Sequence, residues 1–142
     1  MNFLSTILPK AKAARKHIVL PEGMDPRVAK AAFLLASQGV CQVTVLATPA
    51  EAADACAKAG VAFDGLPVQV VDYTADPLAD RLAAGLFERR KAKGMTAEEA
   101  AKTVRGKRLY FGNMMLSLGL VDGLVAGSIA STPDMLRAAF HC

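Results

Sequence analysis

Three stretches of the sequence set charged or hydroxyl side chains at turns, where they could meet a ligand. "LPEGMDPRV" (20–28) carries Glu22, Asp25 and Arg27 just after an apolar run. "FERRKAKGMT" (87–96) carries Arg89, Arg90, Lys91 and Lys93. "AGSIASTPDMLR" (126–137) carries Ser128, Ser131, Thr132 and Arg137 among small residues. A guanidinium offers two parallel N–H groups to two oxygens, so it suits a phosphate or a carboxylate. Small residues let a ligand approach the backbone, and the free N–H groups at a helix start favour an anion. Each stretch also has an ordinary structural reading. The first could be a helix cap with a local ion pair, the second a favourable charge at a helix C-terminus, and the third simple capping by Thr132. Capping explains Thr132 and Pro133 but not why the whole turn is small and polar.

The elements that must position these residues follow from hydrophobic runs and caps. Residues 16–22, 41–47, 66–73 and 121–127 read as strands. Residues 25–39 and 48–60 read as helices, opened by Asp25-Pro26 and Thr48-Pro49 and stopped by Gly39 and Gly60. Asp76 and Pro77 open a further helix reaching about Lys93. Thr96 and Glu99 have capping-box spacing, residues 108–120 form a buried helix with paired methionines, and Thr132 with Pro133 starts the last helix. An amphipathic helix precedes the first strand. Strands alternating with helices predict an α/β fold, with a parallel or mostly parallel sheet flanked by helices.

Composition narrows the function. The chain has 142 residues, 53% hydrophobic and 21% charged, which suits one domain with a real core. No apolar run approaches the length of a membrane span. The basic residues near the start follow the apolar run, the reverse of a signal peptide. The three cysteines are scattered and the two histidines lie far apart, which argues against a metal site or a disulfide framework and for a reducing, cytoplasmic setting. The net charge is +4, and all of the excess lies between Asp76 and Arg108, with nine Lys/Arg against five Asp/Glu. That segment favours an anionic partner or forms a solvated helix surface. Nucleic acid is disfavoured, because Phe87, Tyr110 and Phe111 fit a core rather than a base-stacking surface.

The stretches "IVLPEGMDPRVAKAA", "FERRKAKGMTAEEA", "RLYFGNMMLSLGLVDGLVAGS" and "STPDMLRAA" resemble, in order and spacing, the phosphate acetyltransferase (phosphotransacetylase) family over nearly the whole chain. The resemblance implies reversible transfer of acetyl between coenzyme A and inorganic phosphate. Coenzyme A is then a substrate, and no metal or bound cofactor is needed. It further implies a fold of the isocitrate dehydrogenase type with two α/β domains and a cleft between them, in proteins that are commonly homodimers. Residues 1–142 correspond to the N-terminal domain alone. The family's catalytic serine, arginine and aspartate belong to a C-terminal segment, so the resemblance implies no catalytic residue here. Arg90 and Arg137 match the arginines that would bind phosphate or coenzyme A, with Arg27 a third. Ser131 and Thr132 match the hydroxyls near the acyl phosphate, with Ser128 beside them. Ala130 and the terminal "FHC" depart from the family pattern. A non-catalytic module that binds coenzyme A or acyl phosphate is the alternative function.

Overall fold

The computed structural model describes residues 2–142. Its first helix, α1 (Phe3–Ala14), is capped by the Asn2 side chain and buries none of its residues. Then follow β1 (His17–Leu20), α2 (Pro26–Ser37), β2 (Gln42–Leu46), α3 (Pro49–Ala59) and β3 (Val68–Val71). The second half is mostly helical: α4 (Leu78–Arg90), a 3-10 turn (Lys91–Lys93), α5 (Ala97–Gly106), α6 (Arg108–Ser117), β4 (Gly123–Leu124) and α7 (Thr132–His141).

Side-chain caps fix where the helices begin. Asp25 accepts the Arg27 N–H ahead of Pro26, and Thr48 and Glu51 form a complete capping box. Gly60, with φ 69°, ends α3 in the left-handed conformation that a side chain would oppose. At Thr96 the hydroxyl accepts the Glu99 N–H, while the Glu99 carboxylate turns to that hydroxyl instead of the backbone. The last helix departs from expectation. Ser131, not Thr132, is its cap, with Oγ accepting from the Asp134 N–H at 3.3 Å. Thr132 is the first helical residue, so Pro133 occupies the second position of the first turn.

All four strands are parallel, in the order β3-β2-β1-β4. Helices cover both faces. Leu20, Val43, Val45 and Ala32 form one core under α2 and α3. Val19, Leu46, Leu82, Leu86, Phe111 and Met114 form the larger core on the other side. β2 is therefore buried on both faces from Val43 to Leu46. Thr44, the polar residue of this run, is fully buried with its hydroxyl 2.6 Å from His17 Nε2. As read from the sequence, Met114, Met115, Tyr110 and Phe111 are buried and Phe87 packs against them.

The fourth strand is far shorter than residues 121–127. Asp122 and Val125 still bond to β1, donating to the carbonyls of His17 and Val19. Past Val125 the backbone N–H groups leave the sheet for a different acceptor, the side chain of Glu22. That change of partner converts an expected strand into the loop that shapes the site.

Candidate functional site

Parallel strands place ligands beyond their carboxyl ends, and there β1 and β4 deliver two turns side by side. The turn after β1 holds Glu22, Gly23 and Asp25. Gly23 donates to the Leu46 carbonyl at 3.1 Å, and a Cβ at this position would lie 2.5 Å from that same oxygen. Only glycine lets the turn press this closely on the end of β2.

Glu22 is 2% exposed. Its Oε1 accepts the N–H groups of Gly127 at 2.5 Å and Ser128 at 3.0 Å, and its Oε2 those of Ile129 and Ala130, both at 2.7 Å. Burial pushes its pKa up, but the four backbone N–H groups outweigh burial and hold it below the ordinary carboxylate value. The sequence suggests that free N–H groups at the start of the last helix favour an anion. In the loop just before that helix, the N–H groups of residues 127–130 hold an anion that belongs to the chain, and at the helix start the Asp134 N–H is taken by Ser131 Oγ.

Asp25 and Arg27 grip the same loop from the side. Arg27 pairs with Asp25 at 2.8 Å and donates to the Ser128 carbonyl at 2.8 Å. Pairing with Arg27 lowers the Asp25 pKa to about 2, helped by the Arg27 backbone N–H and by the Ser128 side chain and opposed by burial. A carboxyl whose value falls on folding stabilises the protein fully above its unfolded value of 3.8 and loses that contribution as pH falls toward about 2. Thermal melts from pH 7 to pH 2 are therefore expected to show a steep loss of stability below about pH 4. Asp25→Asn should be less stable at neutral pH and flatter below pH 4; an unchanged acid slope contradicts the assignment.

A cleft of about 380 Å³ opens against this loop. Ile129, Ala130, Asp134 and Arg137 form one wall, and Lys107, Arg108, Leu109 and Tyr110 the other, with Glu22 and Met24 at its back. Arg108 is committed. It donates to Glu51 at 2.7 Å and to the Tyr73 hydroxyl at 2.9 Å, and it stacks over the Tyr73 ring with Cζ 4.7 Å from the centroid. Lys107 lies 5.6 Å from the centre of the Tyr110 ring. Among the described residues Arg137 pairs with Asp134 alone, at 3.0 Å on an exposed helix face. Of the cleft's three cations, Arg108 is tied to the partly buried Glu51 carboxylate, whereas Arg137 has an exposed pair and Lys107 lies over the Tyr110 ring.

Of the six residues that the resemblance implies as substrate-binding, Arg137 alone lines this cleft; Glu22, noted from its turn, lines it too. Ser128 and Arg27 shape the loop, Ser131 caps α7, and Thr132 begins it. Arg90 ends α4 behind Tyr110, with its Nε buried and unpaired. Its charge reaches the Tyr110–His141 pair, whose hydroxyl and Nδ1 lie 2.8 Å apart. Burial, then Arg90, Arg137 and Lys107 in turn, lower the His141 pKa. Sequence reasoning missed Lys107 and Arg108 as site residues and Glu22 as the anchor of a distant loop. The buried-helix reading of 108–120 hid the cations at its start, and the partners of Arg108 lie between 35 and 62 residues away.

Among the described residues no group of three or more His, Cys, Asp or Glu could hold a metal ion, and no helix is long and apolar enough to cross a membrane.

Comparison with known proteins gives the family of this fold. A phosphate acetyltransferase from Thermoanaerobacterium thermosaccharolyticum is 38% identical over 141 residues, covering 99% of this chain and 42% of the relative. One from Acetivibrio thermocellus is 37% identical over the same length, covering 41% of the relative. The crystal structure of a phosphotransacetylase from Streptococcus pyogenes superposes with a TM-score of 0.86 at 32% identity, over 99% of this chain and 43% of that one. This chain therefore spans less than half the length of these relatives. Residues 2–142 match the phosphate acetyl/butaryl transferase family throughout, and the chain belongs to that family.

Proposed function

We propose that this chain takes part in reversible acetyl transfer between coenzyme A and inorganic phosphate, holding the phosphate-bearing substrate in the cleft between residues 106–110 and 129–137. One observation carries the reading. Lys107 and Arg137 face a common cleft against a loop that is fixed from behind. The reaction joins two anions, and fixed cations offset their repulsion and position the acyl phosphate for attack. Of the cleft's two carboxylates, Glu22 is committed to four backbone N–H groups, and Asp134 sits in an exposed pair with Arg137. In this reading the base that takes the coenzyme A thiol proton is supplied from outside this cleft. Arg90 acts from behind Tyr110, and Arg27, Ser128, Ser131 and Thr132 act by shaping the loop and the start of α7. In this reading coenzyme A is a substrate, no metal or bound cofactor takes part, and the protein works as a homodimer in the cytoplasm. The free state of Cys41, Cys56 and Cys142 suits a reducing compartment.

Mixing the chain with acetyl phosphate and coenzyme A tests this reading. Saturable binding of acetyl phosphate is expected, and formation of acetyl-CoA in the mixture would place the whole reaction here. Binding without turnover favours the second reading, a binding module, for which the committed state of the Glu22 carboxylate speaks. Absence of any binding contradicts both.

A further inference from the structure

The feature that the proposed chemistry leaves unused is the carboxylate of Glu22. Four consecutive backbone N–H groups, from Gly127 to Ala130, converge on it in two pairs, one pair for each oxygen. An arrangement of successive N–H groups around a single anion is a nest of the kind that elsewhere receives a phosphate. Here the occupant is built in, and it comes from residues more than a hundred positions away in sequence. Its placement is rigid at both ends. Gly23 is pressed against the end of β2. Gly127, with φ 111°, takes a conformation that disfavours any side chain, and a Cβ there would also lie 2.8 Å from Met135 Sδ.

We infer that Glu22 is a positioning residue: its carboxylate acts as the internal anion that folds the Gly127–Ala130 loop into the wall of the cleft, and thereby sets the cleft's affinity for an acyl phosphate. Two consequences follow. The loop's amides are not available to a substrate phosphate or an oxyanion, so the anion contacts in this cleft fall to side chains, chiefly Lys107 and Arg137. Charge also matters more than length at position 22. A glutamine would put an NH₂ group against two of the four N–H donors and leave them unpaired, whereas an aspartate keeps two accepting oxygens. The link to acyl phosphate rests on the transferase reading, while the folding of the loop by Glu22 does not.

Amide hydrogen exchange and calorimetry on the whole chain separate these steps. In Glu22→Gln, exchange at residues 127–130 is expected to accelerate at least tenfold, with Val43 and Val45 in β2 still protected. Acetyl phosphate should bind at least tenfold more weakly. Glu22→Asp should keep more of the loop's protection than Glu22→Gln despite being the shorter side chain, and it decides the matter if the glutamine variant does not fold. Unchanged exchange in Glu22→Gln overturns the proposal, as does better protection with glutamine than with aspartate. A loosened loop with unaltered acetyl phosphate affinity overturns its link to binding. If the unmutated chain binds no acetyl phosphate, the transferase reading fails, and the exchange data still decide whether Glu22 folds the loop.

Discussion

Arg137→Gln is expected to weaken acetyl phosphate binding by roughly tenfold to a hundredfold, the loss of a hydrogen bond to a charged group worth about 1.5–3 kcal/mol. The fold should barely notice. Arg137 lies on an exposed face of α7, and its pair with Asp134, three residues earlier, is half in solvent on both sides. Such surface pairs contribute on the order of 0.5 kcal/mol. Affinity and stability should therefore separate cleanly in this variant, as calorimetry and a urea melt would show. Arg89→Gln is the matched control. It removes the same charge from the basic segment, at an exposed position outside the cleft. A diffuse attraction to the chain's net positive charge would weaken equally in both variants; a local contact weakens only in Arg137→Gln. Equal losses would mean that the cleft is not where the phosphate binds.

Phe111→Ala should produce the largest loss of stability, about 3–5 kcal/mol. Phe111 has no exposure and is among the largest fully buried side chains. It lies in α6 within the core formed with Leu46, Leu82, Leu86 and Met114. Removing the ring takes away its transfer free energy and leaves a cavity that rigid neighbours fill poorly. The site should suffer with the fold, because α6 carries Arg108 and Tyr110 into the cleft wall. A urea melt with an unchanged slope and a lower midpoint would show the predicted effect. A loss below about 1 kcal/mol would mean that α6 repacks easily, at odds with a shared core under the sheet.

How far the sequence reveals this molecule depends on the range of the interactions. Helix starts are written in adjacent residues. Asp25-Pro26 and Thr48-Pro49-Glu51 behave as their local chemistry dictates, and Gly60 ends its helix as expected. The parallel sheet is legible because strands and helices alternate. The end of β4 is not, because its length is set by a competing acceptor. Beyond Val125 the backbone turns to Glu22, and nothing in residues 121–127 shows that. The same long-range contact gives the N–H groups of the loop before the last helix an internal carboxylate as partner, which no neighbouring residue announces. Ser131 and Thr132 are both good caps, and their neighbours do not say which is used. Arg108 reads as part of an apolar helix, yet it ties that helix to Glu51, Tyr73 and the end of β2. A charged residue at the first position of an otherwise apolar helix was the available signal.

The central claim is that one cleft, walled by residues 106–110 and 129–137, receives the phosphate-bearing substrate. Backbone amide NMR shifts followed during titration with acetyl phosphate test it most directly. The account predicts saturable shifts concentrated at Lys107–Tyr110 and Ile129–Arg137, weakened by added inorganic phosphate. Shifts confined to the exposed basic surface around Arg89 and Lys91, or no shifts at all, would contradict it.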